Sequence, residues 1–423
     1  MNAIPQPPAP QQPPLYLFGC GASQYGQLGG IFPDEIPKPA RVAWVNQAIE
    51  EGKFGAEGAG LVAVAAGVFI HSSLTKQDPN DDAALGYKTP EGFEQDVVET
   101  PQLIQSLKDD DFVAVKVIAG STVSAAISSS GELRVWGTFK CAEGKLGFAP
   151  GTSHQYKPLT LPPPALRKTN PERFVSVAAG AHHIITLTTH GNVYTWGVGE
   201  LGQLGRRVPD RRKIHGTVPE KVVLGTRSRK AVVIGAGSQQ SFAVDEAGDV
   251  WAFGLNNNGQ LGIGSASGKA DPVLTPTKVP KLSVEALDGE RVIQISGGEA
   301  HTLFLTSGGR VFACGQHDIG QLGLPKDDPR LADDVTCTPY PVHIPLPDPD
   351  DPVVQIDTSS RGNWVITADG ALYGWGEANS SELGIGDASV WTPKVVVRRD
   401  GGWRAEQIAC GGQHSVCLLR RRS

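Results

Sequence analysis

The chain has 423 residues, 52 of them glycine, and 44 acidic against 38 basic side chains give a formal net charge of −6. It holds no apolar stretch long enough to span a membrane and no signal-peptide pattern, and its six cysteines (Cys20, Cys141, Cys314, Cys337, Cys410, Cys417) show no C-x-x-C pair or metal spacing. These features exclude a helical membrane protein and a disulfide scaffold, and they fit a turn-dense all-β intracellular protein with reduced, mostly buried thiols.

Residues 1–14, MNAIPQPPAPQQPP, read as an extended or disordered Pro/Gln tail. From residue 15 a ladder begins. The dipeptide Leu-Gly closes at Gly29, Gly86, Gly147, Gly205, Gly262, Gly323 and Gly384, in steps of 57, 61, 58, 57, 61 and 61 residues. Such regularity means repeated units of one kind, which overrides the two or three domains that length alone suggests. The chain opens on half a unit, LYLFGCG (15–21), with a strand and loop but no small-residue strand before it. In the second unit Gly67 to Gly86 spans 19 residues where later units span 25, and SLTK (73–76) runs straight into DPNDDAALG (78–86). That unit is short of one V-x-x-W-G strand, leaving a gapped blade or a substitute strand from QDPND.

The third unit carries RVWGTFKCAEGKLGF (134–148), with 10 residues from Gly137 to Gly147; the fourth to seventh units have 8 at this point, and the first has 10. The fourth unit shows the full grammar: VSVAAG, HHIITLT, a THG turn, NVYTWG and a loop ending in Gln-Leu-Gly. Short alternating runs between glycines predict about four strands per unit, with no long amphipathic helix. The last unit, EQIACGGQHSVCLL (406–419), is the half that the first lacks, followed by a short basic tail at 420–423. The expected fold is an all-β, seven-bladed β-propeller over residues 15–419, closed by pairing N- and C-terminal strands in one blade. An open solenoid would need polar caps, and these ends are apolar.

Between residues 206 and 230, nine basic residues (Arg206, Arg207, Arg211, Arg212, Lys213, Lys221, Arg227, Arg229, Lys230) face two acids, so the window is +7 and the remainder about −13. It reads as a solvated loop or as a contact for polyanion or an acidic protein surface. GVGELG (197–202) matches G-x-G-x-x-G but no helix follows it to hold a pyrophosphate, so it is a by-product of the repeat. His182 and His183 fall where other units place His71, His301 and His414, a recurrence that favours a structural or rim residue over a metal ligand. No P-loop, H-E-x-x-H or G-x-S-x-G occurs, no metal or cofactor is indicated, and nothing argues for covalent catalysis.

The segments 134–148 and 194–213 (YTWGVGELGQLGRRVPDRRK) resemble the third-blade loop and the fourth-blade segment with its basic loop in the regulator of chromosome condensation family, fungal forms above all. That resemblance covers residues 15–419 and implies a chromatin-bound guanine nucleotide exchange factor for the small GTPase Ran, supporting nucleocytoplasmic transport and mitosis. It implies a nuclear, chromatin-associated monomer with room for a cytoplasmic pool and no membrane partner. The third-blade loop is implied to be a wedge against the GTPase, with Phe139, Lys140, Glu143, Gly144 and Lys145 as candidates. Ser121, His182, Arg206, His301 and His414 are the GTPase-facing candidates; Ser121 and His182 stand where the family has Asp, and Ala300 where it has His. Arg207, Arg211, Arg212 and Lys213 are implied to grip the acidic histone surface, beside DNA phosphate contacts. The replaced polar positions keep a second reading open, a non-catalytic propeller scaffold such as those serving tRNA-modification or diphthamide machinery.

Overall fold

The computed structural model describes residues 2–6, 14–23, 28, 34–52, 61, 64–66, 82–88, 103–142, 144–149, 151–161, 171–208, 217–264, 272–331, 336–386 and 389–422. In chain order the elements are β1 (Tyr16–Ala22), β2 (Glu35–Arg41), helix α1 (Ala43–Glu50), helix α2 (Gln105–Asp109), β3 (Ala114–Ala119), β4 (Val123–Ser128), β5 (Leu133–Gly137), β6 (Phe139–Cys141), β7 (Gly144–Leu146) and β8 (Gln155–Leu161). There follow β9 (Phe174–Ala179), β10 (His183–Thr188), β11 (Val193–Gly197), β12 (Glu220–Val222), β13 (Ala231–Ala236), β14 (Gln240–Asp245), β15 (Val250–Leu255) and β16 (Pro272–Lys278). The chain ends with β17 (Val292–Gly297), β18 (His301–Thr306), β19 (Val311–Gln316), β20 (Cys337–Ile344), β21 (Val353–Thr358), β22 (Gly362–Thr367), β23 (Leu372–Glu377), β24 (Ser389–Val397), β25 (Trp403–Cys410) and β26 (His414–Arg421).

These strands form a β-propeller. Among the described residues there are six four-stranded sheets, ordered β2-β1-β26-β25, β3-β4-β5-β8, β9 to β12, β13 to β16, β17 to β20 and β21 to β24. The expected count of seven is therefore corrected to six. The unit that falls short is the second: its described residues 61, 64–66 and 82–88 contain no strand. This is the unit whose sequence lacks the alternating V-x-x-W-G run from which a third strand is built. The proposed strand from QDPND lies outside the described residues, apart from the adjoining Asp82. The expected closure is formed: β1 pairs antiparallel with β26, from Tyr16 opposite Leu419 to Gly21 opposite His414.

Local chemistry explains the ladder. Five of the Leu-Gly leucines are buried plugs between blades, with Leu204, Leu261 and Leu383 fully inaccessible, while Leu85 and Leu146 are half-buried. The following glycine turns the chain in the left-handed region at Gly205 (φ +63°), Gly262 (+72°), Gly323 (+66°) and Gly384 (+71°), where a Cβ costs about 1–2 kcal/mol; Gly147 in the third unit does not. In five blades the second strand (β4, β10, β14, β18, β22) is buried at every residue, so its two faces both pack on protein, and in the closing blade β26 is buried except at its last two residues. The first strands (β3, β9, β13, β17, β21, β25) line a central cavity of about 490 Å³ together with residues 64–66.

Neighbouring blades are stitched along this inner wall. Gln294 donates through Nε2 to Ile356 O (2.8 Å) and accepts at Oε1 from Ile356 N (3.1 Å). Gln355 donates to Ile408 O in the next blade (3.0 Å), and Gln407 makes the two-way bond with Val64 (3.2 and 3.3 Å). The six cysteines are free; Cys20, Cys314, Cys410 and Cys417 are buried, and burial raises their thiol pKa values.

Both termini are more committed than their composition suggests. Asn2 donates from its backbone to Thr189 O (3.0 Å) and from Nδ2 to Thr188 O (3.2 Å) and Ala231 O (3.1 Å), while Ile4 packs on the apolar cluster between two blades. Residues 2–6 are thus held against the propeller. Arg420 bonds Glu406 (3.0 Å) and Arg422 bonds Trp403 O (3.3 Å) and Asp369 O (2.5 Å), so these basic groups brace the closing blade.

Replacing Gln294 with Met keeps its volume but leaves the Ile356 amide and carbonyl unsatisfied in the channel wall. The variant is expected to lose about 1–3 kcal/mol of unfolding free energy. Equilibrium urea unfolding measures it; an unchanged midpoint would show that the stitch is dispensable.

Candidate functional site

Every blade runs its first strand toward one face of the ring and turns there into its second strand. The third strand ends on the same face, so the loops that carry Leu-Gly gather there too. Ser121, His182, the third-blade loop and Arg206 all belong to this face by chain direction.

The third-blade loop is a small hairpin. β6 and β7 pair with Phe139 opposite Leu146, Lys140 opposite Lys145 and Cys141 opposite Gly144. Its root is fixed: Phe139 is fully buried against Phe148, with ring centroids 4.9 Å apart. Thr138 N donates to Thr122 O (2.9 Å), and the Thr138 hydroxyl donates to Ser153 O (2.5 Å). Its two lysines converge on one carboxylate, with Lys140 Nζ 2.7 Å from Asp82 Oδ2 and Lys145 Nζ 3.1 Å from Asp82 Oδ1. Gly144, with φ of +131°, has open space where a side chain would stand. Glu143 lies outside the described residues.

Beside the hairpin stand Ser121 and His182, both on the wall of the central cavity. Thr122 Oγ1 donates to Thr138 O (2.6 Å) and lies 3.4 Å from His182 Nδ1. Burial and then the nearby Lys140 ammonium lower the His182 pKa, while Asp82 pulls the other way, so the ring is neutral near pH 7. The structure therefore brings together Ser121, His182, Phe139, Lys140, Gly144 and Lys145, and adds Thr122 and Asp82. Asp82 had one sequence signal: an acidic pair, Asp81-Asp82, three residues before a Leu-Gly step.

The other candidates are placed differently. Arg206 turns back on its own blade, with Nη1 3.3 Å from Glu220 and Nη2 3.4 Å from Val218 O, and burial lowers its pKa. His301 and His414 begin second strands and are buried, so their side chains do not present an open surface. Ala300 offers only its backbone, which accepts from Gln316 N (2.9 Å). Arg207 is exposed at the root of the basic loop; Arg211, Arg212 and Lys213 lie outside the described residues. Unforeseen on the same face is Arg361, paired with Glu377 at 2.6 Å and 4.0 Å from Glu299.

The recurring histidine is a seam residue. His183 Nε2 lies 2.8 Å from Ser241 Oγ in the next blade, and Ser241 donates onward to Gln203 O (2.9 Å), the carbonyl before Leu-Gly. The hydroxyl proton being used there, His183 must donate through Nε2–H. His301 repeats the pattern: Nε2 meets Asn363 Oδ1 (2.8 Å), and Asn363 Nδ2 donates to Gln321 O (3.0 Å). Gln240 fills this position in the intervening blade and donates to Gly298 O (3.1 Å). Burial, then the adjacent His182, lowers the His183 pKa to about 3, and burial lowers His301 to about 4. Among the described residues no cluster of three His, Cys, Asp or Glu is arranged to hold a metal.

A depressed histidine pKa means that the unfolded chain binds more protons between the two pKa values, so stability falls as pH drops through 6.5. From pH 7 to pH 5 the His183 contribution amounts to about 2 kcal/mol. His183→Gln, the residue used by the neighbouring blade, should remove that part of the acid sensitivity. Urea midpoints at the two pH values test this; equal acid losses in both proteins would refute it.

A family model described as the RCC1-like domain matches residues 15–417. Protein pim1 of Schizosaccharomyces pombe is 33% identical over 98% of this chain and 76% of its own length. The Guanine nucleotide exchange factor SRM1 of Saccharomyces cerevisiae is 30% identical over 71% of this chain and 61% of its own. The crystal structure of Prp20p from Saccharomyces cerevisiae, described with its binding properties to Gsp1p and histones, superposes with a TM-score of 0.81 at 25% identity, covering 98% of this chain and 93% of that one.

Proposed function

Because this chain belongs to the RCC1-like domain family, we propose that it is a guanine nucleotide exchange factor for a Ran-type small GTPase, working on chromatin in the nucleus. The observation that carries the reading most directly is the third-blade hairpin, rooted by a buried phenylalanine and held on the face where His182 and Ser121 also lie. A rigid projection beside a polar, water-accessible rim is what such a factor needs. It makes and breaks no covalent bond. It binds the nucleotide-free GTPase more tightly than the loaded one, and by reciprocity weakens nucleotide binding by the same factor. The hairpin would disturb the phosphate and Mg²⁺ contacts of the GTPase, which hold the nucleotide in place.

In this reading His182 and the hairpin that carries Lys140 and Lys145 face the GTPase. Buried Ser121, His301 and His414, and Arg206, support the face from behind. Glu143 and Gly144 are read as further contacts of the wedge loop. Arg207, Arg211, Arg212 and Lys213 face the nucleosome, where arginine can hold paired carboxylates through two parallel hydrogen bonds. The propeller is read as occupying residues 15–419 of a monomer, with a cytoplasmic pool beside the nuclear one. The second unit, in which no strand is described, still bonds both neighbours: Gln407 bonds Val64 as Gln294 bonds Ile356, and Ser124 donates to Ala84 O (3.2 Å) as Ser241 donates to Gln203 O. Residues 64–66 and 82–88 thus meet their neighbours as a blade would.

Micromolar protein is expected to accelerate release of labelled GDP from Ran severalfold or more; no acceleration sinks the reading. The uncharged Ser121, His182 and Ala300 favour a second reading, a non-catalytic scaffold. That reading expects neither Ran nor histones in a pull-down from nuclear extract.

Arg211→Ala combined with Arg212→Ala should weaken nucleosome binding by about a hundredfold while leaving GDP release intact, since each charge-assisted hydrogen bond contributes about 1.5–3 kcal/mol and about 1.4 kcal/mol is tenfold. Unchanged nucleosome affinity in a gel-shift titration would reject the role of this loop.

A further inference from the structure

We infer that Asp82, from the unit that lacks a complete blade, is the positioning residue of the third-blade hairpin. The need for it follows from the pairing. Lys140 and Lys145 stand directly opposite each other on two three-residue strands, and like charges in that position repel. A lone two-stranded hairpin is marginal even without such repulsion. Asp82 answers both problems. Its two oxygens reach the two ammonium groups at 2.7 and 3.1 Å, and its own side chain is only 7% exposed, so solvent screens the ion pairs weakly.

The turn that carries Asp82 is itself tied to the third blade. Trp136 Nε1 donates to Ala84 O at 2.8 Å, and Ser124 Oγ donates to the same carbonyl at 3.2 Å. The hairpin therefore has two anchors: Phe139 holds its root in the blade, and Asp82 holds its middle pair from the neighbouring unit. The lysines point their charge at Asp82, so they set the hairpin's angle rather than reaching for a phosphate. This also gives the shortened second unit a function: its turn at residues 82–84 steers the hairpin of the next blade. The step from hairpin angle to nucleotide release rests on the exchange-factor reading; the tether does not.

The test uses the full chain with Asp82→Asn, which keeps size and loses charge, and Asp82→Glu, which keeps the charge. Amide hydrogen exchange and trypsin cleavage after Lys140 and Lys145 report the hairpin without any GTPase. In Asp82→Asn both should be about tenfold faster, with the thermal midpoint of the propeller unchanged within about 2 °C, and Asp82→Glu should restore protection. With a Ran-type GTPase, the maximal rate of GDP release should fall about tenfold in Asp82→Asn, while the GTPase concentration giving half-maximal rate changes less than threefold. Unchanged hairpin protection overturns the tether. A freed hairpin with an unchanged maximal rate overturns its part in exchange. If the unaltered protein does not accelerate release, the exchange-factor reading fails, and the hydrogen-exchange result still decides the tether.

Discussion

The seam between blades is the constraint on which the rest of this molecule depends. A four-stranded sheet exposes two apolar faces and cannot stand alone. Here several units pass a backbone carbonyl, the one just before Leu-Gly, to a hydroxyl or amide on the second strand of the next blade, while at the closing blade Glu382 O receives the Cys20 thiol instead. Gln203 O receives Ser241, Gln260 O receives Thr302 and Gln321 O receives Asn363. The histidines or glutamine at the start of the second strands complete the same network. Because these groups are buried, the bonds are mandatory: each missing partner would leave an uncompensated polar group.

That seam explains why the functional face is rigid. The turns around Ser121 and His182 are joined to the inner wall of the ring, and the hairpin between β6 and β7 grows out of a strand packed on both sides. The face thus presents a fixed arrangement, which suits a protein that acts by preferring one state of its partner. Charge is arranged with the same economy. The seam histidines are kept neutral by burial, Arg206 and Arg361 are turned into local ion pairs, and the two hairpin lysines share Asp82.

Much of the fold was legible in the sequence because its causes are local. Leucine that must be buried and glycine that must take positive φ recur at one place in most units, as at Leu204-Gly205 and Leu261-Gly262, so their spacing reports the repeat directly. The apolar half-units at 15–21 and 406–419 announced the closure that β1 and β26 make, since neither could be left uncovered. The second unit was the exception. Its shortened run was visible, yet the way it meets its neighbours depends on groups far apart in sequence, such as Gln407 with Val64.

The sequence by itself determined the repeated architecture, its closure and the segments that mark the family, because periodic burial and turn geometry are written residue by residue. Only the tertiary structure decided which polar residues face outward. His182 and His183 are adjacent and chemically identical, yet one lies on the channel wall near the hairpin and the other is sealed in a seam with a pKa near 3. The alternation of side chains along a strand sends neighbours to opposite sides, and what waits on each side is set by another blade. For the same reason Asp82 gained meaning only when folding brought Lys140 and Lys145, some sixty residues away, against its two oxygens.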